Sequence, residues 1–217
     1  MHYSILDTGG SRSFPSDHAL IDSAAKDLKS AQVVIVIGEH AGNHAKSLKK
    51  CQDKVAVVIE LGAESLGVHT GESRAEEGSN AVGFARFRLG DAEPTNLVEL
   101  VRQPRTSDAA LAAAKQLFEG AGLQVAVCGD FAGRIIDRLV RPYYNAALRR
   151  LDEGLATADD LDTTLRLGLG YPEGPIALLE RTGLAHHCEV TQALYEATGE
   201  QPYAPARRAR VAKQRQK

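Results

Sequence analysis

The sequence predicts a parallel α/β half that runs directly into an all-helical half. Three observations carry this. Val33–Ile37 and Val55–Ile59 are continuous β-branched runs, the pattern of strands buried on both faces of a parallel sheet. Up to about residue 130 such runs alternate with polar or helical stretches, the rhythm of α/β folds. From Gly133 onward the strand signal stops and apolar residues recur at helical spacing.

Between the first two runs, His44–Cys51 is a short helical candidate, and a third strand covers Ala81–Phe87 after the polar Gly71–Asn80 stretch. Thr95–Arg102 reads equally as strand or helix. Ser107-Asp108 opens a helix to Ala121 that Gly120 and Gly122 close, and Gln124–Cys128 is a fourth strand. In the second half, Ile135, Ile136, Leu139, Val140, Tyr143, Tyr144, Ala147 and Leu148 form an apolar helical stripe ending near Gly154. Thr157 with Asp160 resembles a capping box that opens a helix through Leu167. A turn-rich break at 168–175 precedes helices over Ile176–Arg181 and Ala185–Thr198. The domains expected are 1–130, 131–205 and a basic tail at 206–217.

The chain has 217 residues, 26 Lys+Arg against 28 Asp+Glu, and 43% hydrophobic residues, enough for a real core. No apolar run approaches the roughly 20 residues of a membrane helix, and MHYSILDTGG lacks the pattern of a signal peptide. Three scattered cysteines, Cys51, Cys128 and Cys188, make no disulfide framework and suit a reducing cytoplasm. Six cations fall in the last eleven residues, leaving 20 cations against 28 acids in the remainder. With no aromatic residue interleaved, this tail reads as a solvated, frayed terminus and not as a nucleic-acid contact.

Candidate chemistry is sparse. A dinucleotide site of the Rossmann type needs G-x-G-x-x-G between a strand and its helix, and no such motif occurs; Thr8-Gly9-Gly10-Ser11 has the wrong spacing and leads into Phe14-Pro15. In Glu39-His40 with His44, the two histidines at i and i+4 could share a helix face and hold a metal, but Gly38, Gly42 and Asn43 favour a strand-end loop. His186-His187-Cys188 reads as a surface pair beside a buried thiol. Ser4, Ser16 and Asp17-His18 form no defensible triad.

Three ordered segments are more specific: Gly133-Arg-Ile-Ile-Asp-Arg with Asn145-Ala-Ala, then Glu153-Gly-Leu-Ala-Thr-Ala-Asp-Asp-Leu-Asp, then Gly170-Tyr-Pro-Glu-Gly-Pro. Together they resemble the C-terminal domain of the 3-hydroxyacyl-CoA dehydrogenases. Upstream, Leu97-Val-Glu-Leu-Val and Thr106-Ser-Asp are similar to the same family, as are Ala31–Ile37, Val55–Leu66 and Val82–Phe87. The resemblance implies an incomplete Rossmann-like sheet, its first βαβ unit missing or replaced, followed by a helical domain like that of 6-phosphogluconate dehydrogenase.

It also implies NAD-dependent hydride transfer at the 3-position of an acyl-CoA, with a His as base, a Glu orienting it, and a Ser and an Asn on the substrate oxygen. Carried onto this chain, the His position holds Ala85, the Glu is Glu99, Glu64 stands at the first Ser with Ser65 beside it, and Asp137 stands at the Asn. Glu99 reads as that orienting acid or as a plain surface or cap acid. The expectations are therefore no NAD bound by this chain and no independent turnover, a homodimer through the helical domain, an acyl-CoA as the implied ligand, and neither nucleic acid nor membrane as partner.

Overall fold

The computed structural model describes residues 2–45, 51, 53–72 and 79–216. It divides into two units: Met1–Arg88 with Pro94–Arg134, and Leu89–Glu93 with Ile135–Lys217. The division falls after Arg134, and the expected tail at 206–217 lies inside the second unit.

The first unit is built on six strands, β1 (Tyr3–Asp7), β2 (Val33–Ile37), β3 (Ala56–Glu60), β4 (Ala81–Arg86), β5 (Leu97–Arg102) and β6 (Gln124–Gly129), in the order β1-β2-β3-β4-β5-β6. Pairing is parallel except between β4 and β5. β2 and β3 are buried along their whole length, as their unbroken apolar runs require. Of the two readings left open for Thr95–Arg102, the strand is the one formed: Leu97–Arg102 is β5, antiparallel to β4 and parallel to β6. One feature departs from the expectation, since Tyr3–Asp7 forms an unforeseen edge strand, β1. In the usual doubly wound order 3-2-1-4-5-6 the first strand lies inside the sheet. Here every later strand lies to one side of it.

One sheet face packs Val33, Ile35, Val58, Phe84 and Leu100 against Ala114, Leu117 and Phe118 of helix α4. The other packs Val34, Val36, Ile59, Leu61 and Val101 with Ala41 and Leu66. Helix α4 (Asp108–Gly120) follows a cap in which the Ser107 side chain accepts from Ala110 N. Among the described residues, the other helices of this unit are short: α1 (Ala19–Asp22), α2 (Ala41–Ala45) and α3 (Gly67–Thr70). The helix expected over His44–Cys51 lies mostly outside the described residues.

The second unit contains α5 (Ile136–Asp152), α6 (Ala158–Leu169), α7 (Pro175–Thr182), α8 (Leu184–Thr198) and α9 (Arg207–Arg215). The cap at Thr157 forms as expected, accepting from Asp160 N at 3.1 Å, but α6 continues to Leu169 before Gly170 ends it with a φ of 71°. The tail expected to fray is α9 instead. Ala209 is fully buried in a cluster with Leu148, Ile176, Leu179 and Cys188, so the basic residues ride on a docked helix. The stripe expected on α5 is also corrected. The buried positions are Asp137, Arg141, Asn145 and Leu148, whereas Leu139 is 70% exposed. Helix α6 buries no side chain, and Leu167 is 82% exposed. Among the described residues no helix is long and apolar enough to cross a membrane.

Candidate functional site

The carboxyl ends of parallel strands are where open α/β sheets place ligands. Here β1 leads into Thr8-Gly9-Gly10-Ser11, with φ of 84° and 70° at the two glycines. The turn is pressed against the end of β2. A Cβ at Gly38 would lie 2.4 Å from both Gly9 O and Thr8 Oγ1, so only glycine fits. Glu60, buried at the end of β3, ties the turns together. Its carboxylate accepts from Ser13 N and Gly38 N, each at 2.7 Å, and from Ser11 Oγ at 2.9 Å. Asp7 Oδ1 accepts from Gly9 N at 2.8 Å. Amides that could cradle a phosphate are thus engaged by carboxylates, and the next helix starts only at Ala19, capped by His18. These residues do not fit a dinucleotide pyrophosphate.

A cavity of about 240 Å³ opens beside this turn, lined in part by Arg12, Glu39, Glu64 and His69. Burial raises the Glu64 pKa, but hydrogen bonds from His69 and from the backbone outweigh it and leave the carboxyl below its usual range. Glu64 Oε1 lies 3.1 Å from both His69 Nε2 and Gly62 N. His40 and His44 are exposed, and among the described residues no three His, Cys, Asp or Glu side chains are grouped to hold a metal.

The most informative geometry lies further along the sheet. The β4–β5 register sets Ala85 directly opposite Glu99, where side chains on one face stand about 5 Å apart. Glu99 is 2% exposed, yet it is not a surface or cap acid. Arg134 Nε lies 3.4 Å from Glu99 Oε2, and the Arg134 side chain is 6% exposed. Arg134 Nη1 also donates to Gly62 O at 2.8 Å, and Gly133 N donates to Ala63 O at 2.9 Å. The segment 62–65 and Glu99 are therefore joined through Arg134. Arg134 is the one non-glycine at positive φ among the described residues, at 52°, a conformation that costs an L side chain about 1–2 kcal/mol. Burial, and then the Glu99 carboxylate, push the Cys128 thiol up to about 11, so it is no nucleophile at neutral pH.

Ser65 precedes α3, and its carbonyl accepts from Val68 N at 3.3 Å. The backbone amides of Leu66 and Gly67 are held by Asp130, at 2.6 and 2.7 Å.

Asp137 belongs to the helical unit, where Arg141 Nε donates to it at 2.7 Å. Arg141 Nη1 reaches His187 Nδ1 at 3.0 Å, and His187 Nε2 reaches Asn145 Oδ1 at 3.1 Å. Since guanidinium only donates, Nδ1 accepts and the proton sits on Nε2. Burial, then the Arg141 charge, then His186 lower the His187 pKa to about 3. His187 is thus a neutral core residue, not half of a surface pair.

The model of the 3-hydroxyacyl-CoA dehydrogenase C-terminal domain matches residues 133–216. A 3-hydroxybutyryl-CoA dehydrogenase of Bradyrhizobium diazoefficiens is 36% identical over 109 residues, half of this chain and 37% of that protein. The human mitochondrial hydroxyacyl-coenzyme A dehydrogenase is 34% identical over 120 residues, 55% of this chain and 38% of its own. The crystal structure of (S)-3-hydroxybutyryl-CoA dehydrogenase from Ralstonia eutropha superposes with a TM-score of 0.73 at 26% identity, covering 89% of this chain and 69% of that one. The chain carries a match to the 3-hydroxyacyl-CoA dehydrogenase C-terminal domain over residues 133–216 and is similar in fold to a member of that family.

It spans well under half the length of these curated relatives. As a 3-hydroxyacyl-CoA dehydrogenase relative it combines the family's parallel-dominated sheet and helical domain with an altered charge arrangement. Where the resemblance asks for a His facing Glu99, this chain has Ala85, and Glu99 is ion-paired with Arg134. At Asp137 the carboxylate is not bare, because Arg141 compensates it. Sequence reading did not single out Glu60, Arg134 or Arg141. The signal available for Arg134 was its place beside Gly133, where a charged residue opens an otherwise apolar helix start.

Proposed function

We propose that this chain is a dehydrogenase-derived module that does not transfer hydride by itself, and that it dimerises and holds an acyl-CoA through its family scaffold. The observation that carries this reading is the buried Arg134–Glu99 pair opposite Ala85. A guanidinium stays protonated at every physiological pH and a methyl group relays no proton, so neither replaces a general base, whose loss costs about 10²–10⁴ in rate. The carboxylates around the Gly9-Gly10 turn support the same conclusion for NAD, which would supply the hydride acceptor when bound. Incubation with acetoacetyl-CoA and NADH, followed at the nicotinamide absorbance band, should show no turnover above background. Turnover that disappears on Glu99→Gln would overturn the reading.

The separated second half of a longer enzyme is the alternative. It would need a second chain to add strands at one of the sheet edges, β1 or β6. The β1 edge carries the segment around Ala25, whose N donates to Tyr3 O at 2.9 Å, while Ser4 Oγ donates to Asp27 O at 2.9 Å. Strand addition at β1 would have to displace this segment, which disfavours pairing at that edge.

Dimerisation through the helical unit is supported by its exposed apolar residues: Leu139, Leu155, Leu167, Leu169 and Tyr171, the last in edge contact with Tyr143. Covering such residues with a second copy, burying more than about 1,000 Å², removes them from water. Light scattering at micromolar concentration should give twice the chain mass, and Leu139→Asp with Leu167→Asp should give a monomer. A monomeric mass for the unaltered chain would end this reading. The three cysteines are unbridged, which supports a reducing cytoplasm.

A further inference from the structure

The cavity of about 240 Å³ beside the Gly9-Gly10 turn holds a histidine–carboxylate pair separate from Glu99. Glu64 Oε1 accepts from Gly62 N and lies 3.1 Å from His69 Nε2, so the backbone fixes the carboxylate and the carboxylate fixes the ring. The ring also rests on α2. A Cβ at Gly42 would lie 2.0 Å from His69 Cε1 and 2.2 Å from Nδ1, so a glycine there is what leaves room for the imidazole. Glu64, held below its usual pKa, is ionised at neutral pH and can only accept; the shared proton therefore sits on His69 Nε2. That leaves the lone pair on Nδ1, which receives no hydrogen bond from a described residue. Both side chains are partly exposed and line the cavity. An imidazole oriented by a carboxylate, with its second nitrogen unengaged, is the arrangement of a general base. Arg12 lines the same cavity and brings a permanent positive charge.

We propose that His69 is a general base acting on a short 3-oxoacyl thioester, with Glu64 as its positioning residue. This rests on the acyl-CoA reading above and needs no hydride acceptor. The cavity is smaller than the roughly 300–1,000 Å³ of pockets for larger ligands, so it suits the acyl end alone and a short one. Two flanking carbonyls acidify C2 of such a thioester, which brings its proton within reach of an imidazole. The C2–H bond breaks, the proton moves to His69 Nδ1, and the electron pair forms C2=C3 and places an enolate on the 3-oxygen. The imidazolium is held by Glu64, and Arg12 supplies positive charge for the enolate. Return of a proton exchanged with solvent regenerates the thioester, so the reaction is isotope exchange at C2 and leaves the nicotinamide band untouched.

The test follows deuterium uptake at C2 of acetoacetyl-CoA in D2O, with the full chain, by rapid-quench mass spectrometry against buffer alone. Exchange should exceed the buffer rate, and His69→Gln should lower the excess by at least about a hundredfold. Imidazole added to His69→Ala should restore part of it, which a purely structural histidine would not allow. His40→Gln, at an exposed histidine that does not line the cavity, should exchange as the unaltered chain does. Glu64→Gln keeps an acceptor beside the ring but removes the charge; it should slow exchange roughly tenfold with acetoacetyl-CoA binding unchanged, and it decides the matter should the His69 variants unfold. Calorimetry with acetoacetyl-CoA separates the two readings. No binding ends the acyl-CoA reading and this one with it, whereas binding without exchange above buffer ends this one alone. Exchange that survives His69→Gln, that imidazole fails to restore in folded His69→Ala, or that is unchanged in Glu64→Gln would also overturn the proposal.

Discussion

Replacing Arg134 by Met should destabilise the α/β unit by about 3–5 kcal/mol, read as a lower urea midpoint. The cause is what stays behind, since removing one member of a buried ion pair strips the other of its counter-charge in a place water does not reach. Glu99 is 2% exposed and Arg134 7%. The double variant Arg134→Met with Glu99→Gln should regain most of the loss, because a neutral amide needs no counter-charge. Backbone strain adds a second expectation. Arg134→Gly and Arg134→Ala both delete the side chain, but only glycine accepts a φ of 52° freely, so the glycine variant should be the milder by about 1 kcal/mol. A loss under about 1 kcal/mol for Arg134→Met would mean that the pair contributes little and that Glu99 has adequate partners elsewhere.

The second large effect lies in the helical unit and has two signs. Arg141 is buried with Asp137 and His187, and Arg141→Met should cost about 3–5 kcal/mol at neutral pH by the same mechanism. Its pH dependence should move the other way. His187 titrates near pH 3 in the folded chain and near its ordinary 6.5 when unfolded. Below about pH 6.5 the unfolded chain takes up a proton that the folded chain refuses, so stability is full above that value and declines as pH falls toward 3. Arg141 contributes to this depression, so in Arg141→Met the His187 pKa rises and the decline becomes shallower. Thermal melts of both proteins between pH 7 and pH 4 test this. A variant whose Tm falls as steeply with acid as the parent's would show that burial alone sets the His187 pKa.

Much of the scaffold was readable because apolar burial leaves a one-dimensional trace. Val33–Ile37 and Ala56–Glu60 are apolar almost throughout because both sheet faces cover them, and α4 announces itself through Ser107 and Gly122. What escaped reading has no such trace. Tyr3–Asp7 is a short edge strand with a serine and an aspartate in it, and its pattern matches any turn-rich start. The buried face of α5 carries Asp137, Arg141 and Asn145 at spacings of four, which in sequence look like the solvated side of an amphipathic helix. Only the distant His187 shows that they face inward. The same holds for the pairing of Ala85 with Glu99 and of Glu99 with Arg134. The resemblance placed Glu99 and Ala85, but their register and the identity of the cation between β5 and Gly62 are contacts between separated segments. The basic tail misled because its charges dominate its composition, while one small residue, Ala209, docks the helix.

The order β1-β2-β3-β4-β5-β6 has a kinetic consequence. Each strand pairs only with its neighbours in the chain, so no pairing must wait for a strand to be inserted between two others. Sheets whose first strand ends up in the interior need contacts between distant parts of the chain, and folding slows as the mean separation of contacting residues grows. This sheet can instead grow by zippering outward from any adjacent pair, with loop closures limited to the connections between consecutive strands. The shortest of these joins β4 to β5, the single antiparallel pair, and that pair carries Ala85 and Glu99. The hairpin at the heart of the altered site is therefore the natural nucleus of the sheet, and its register is set early in folding.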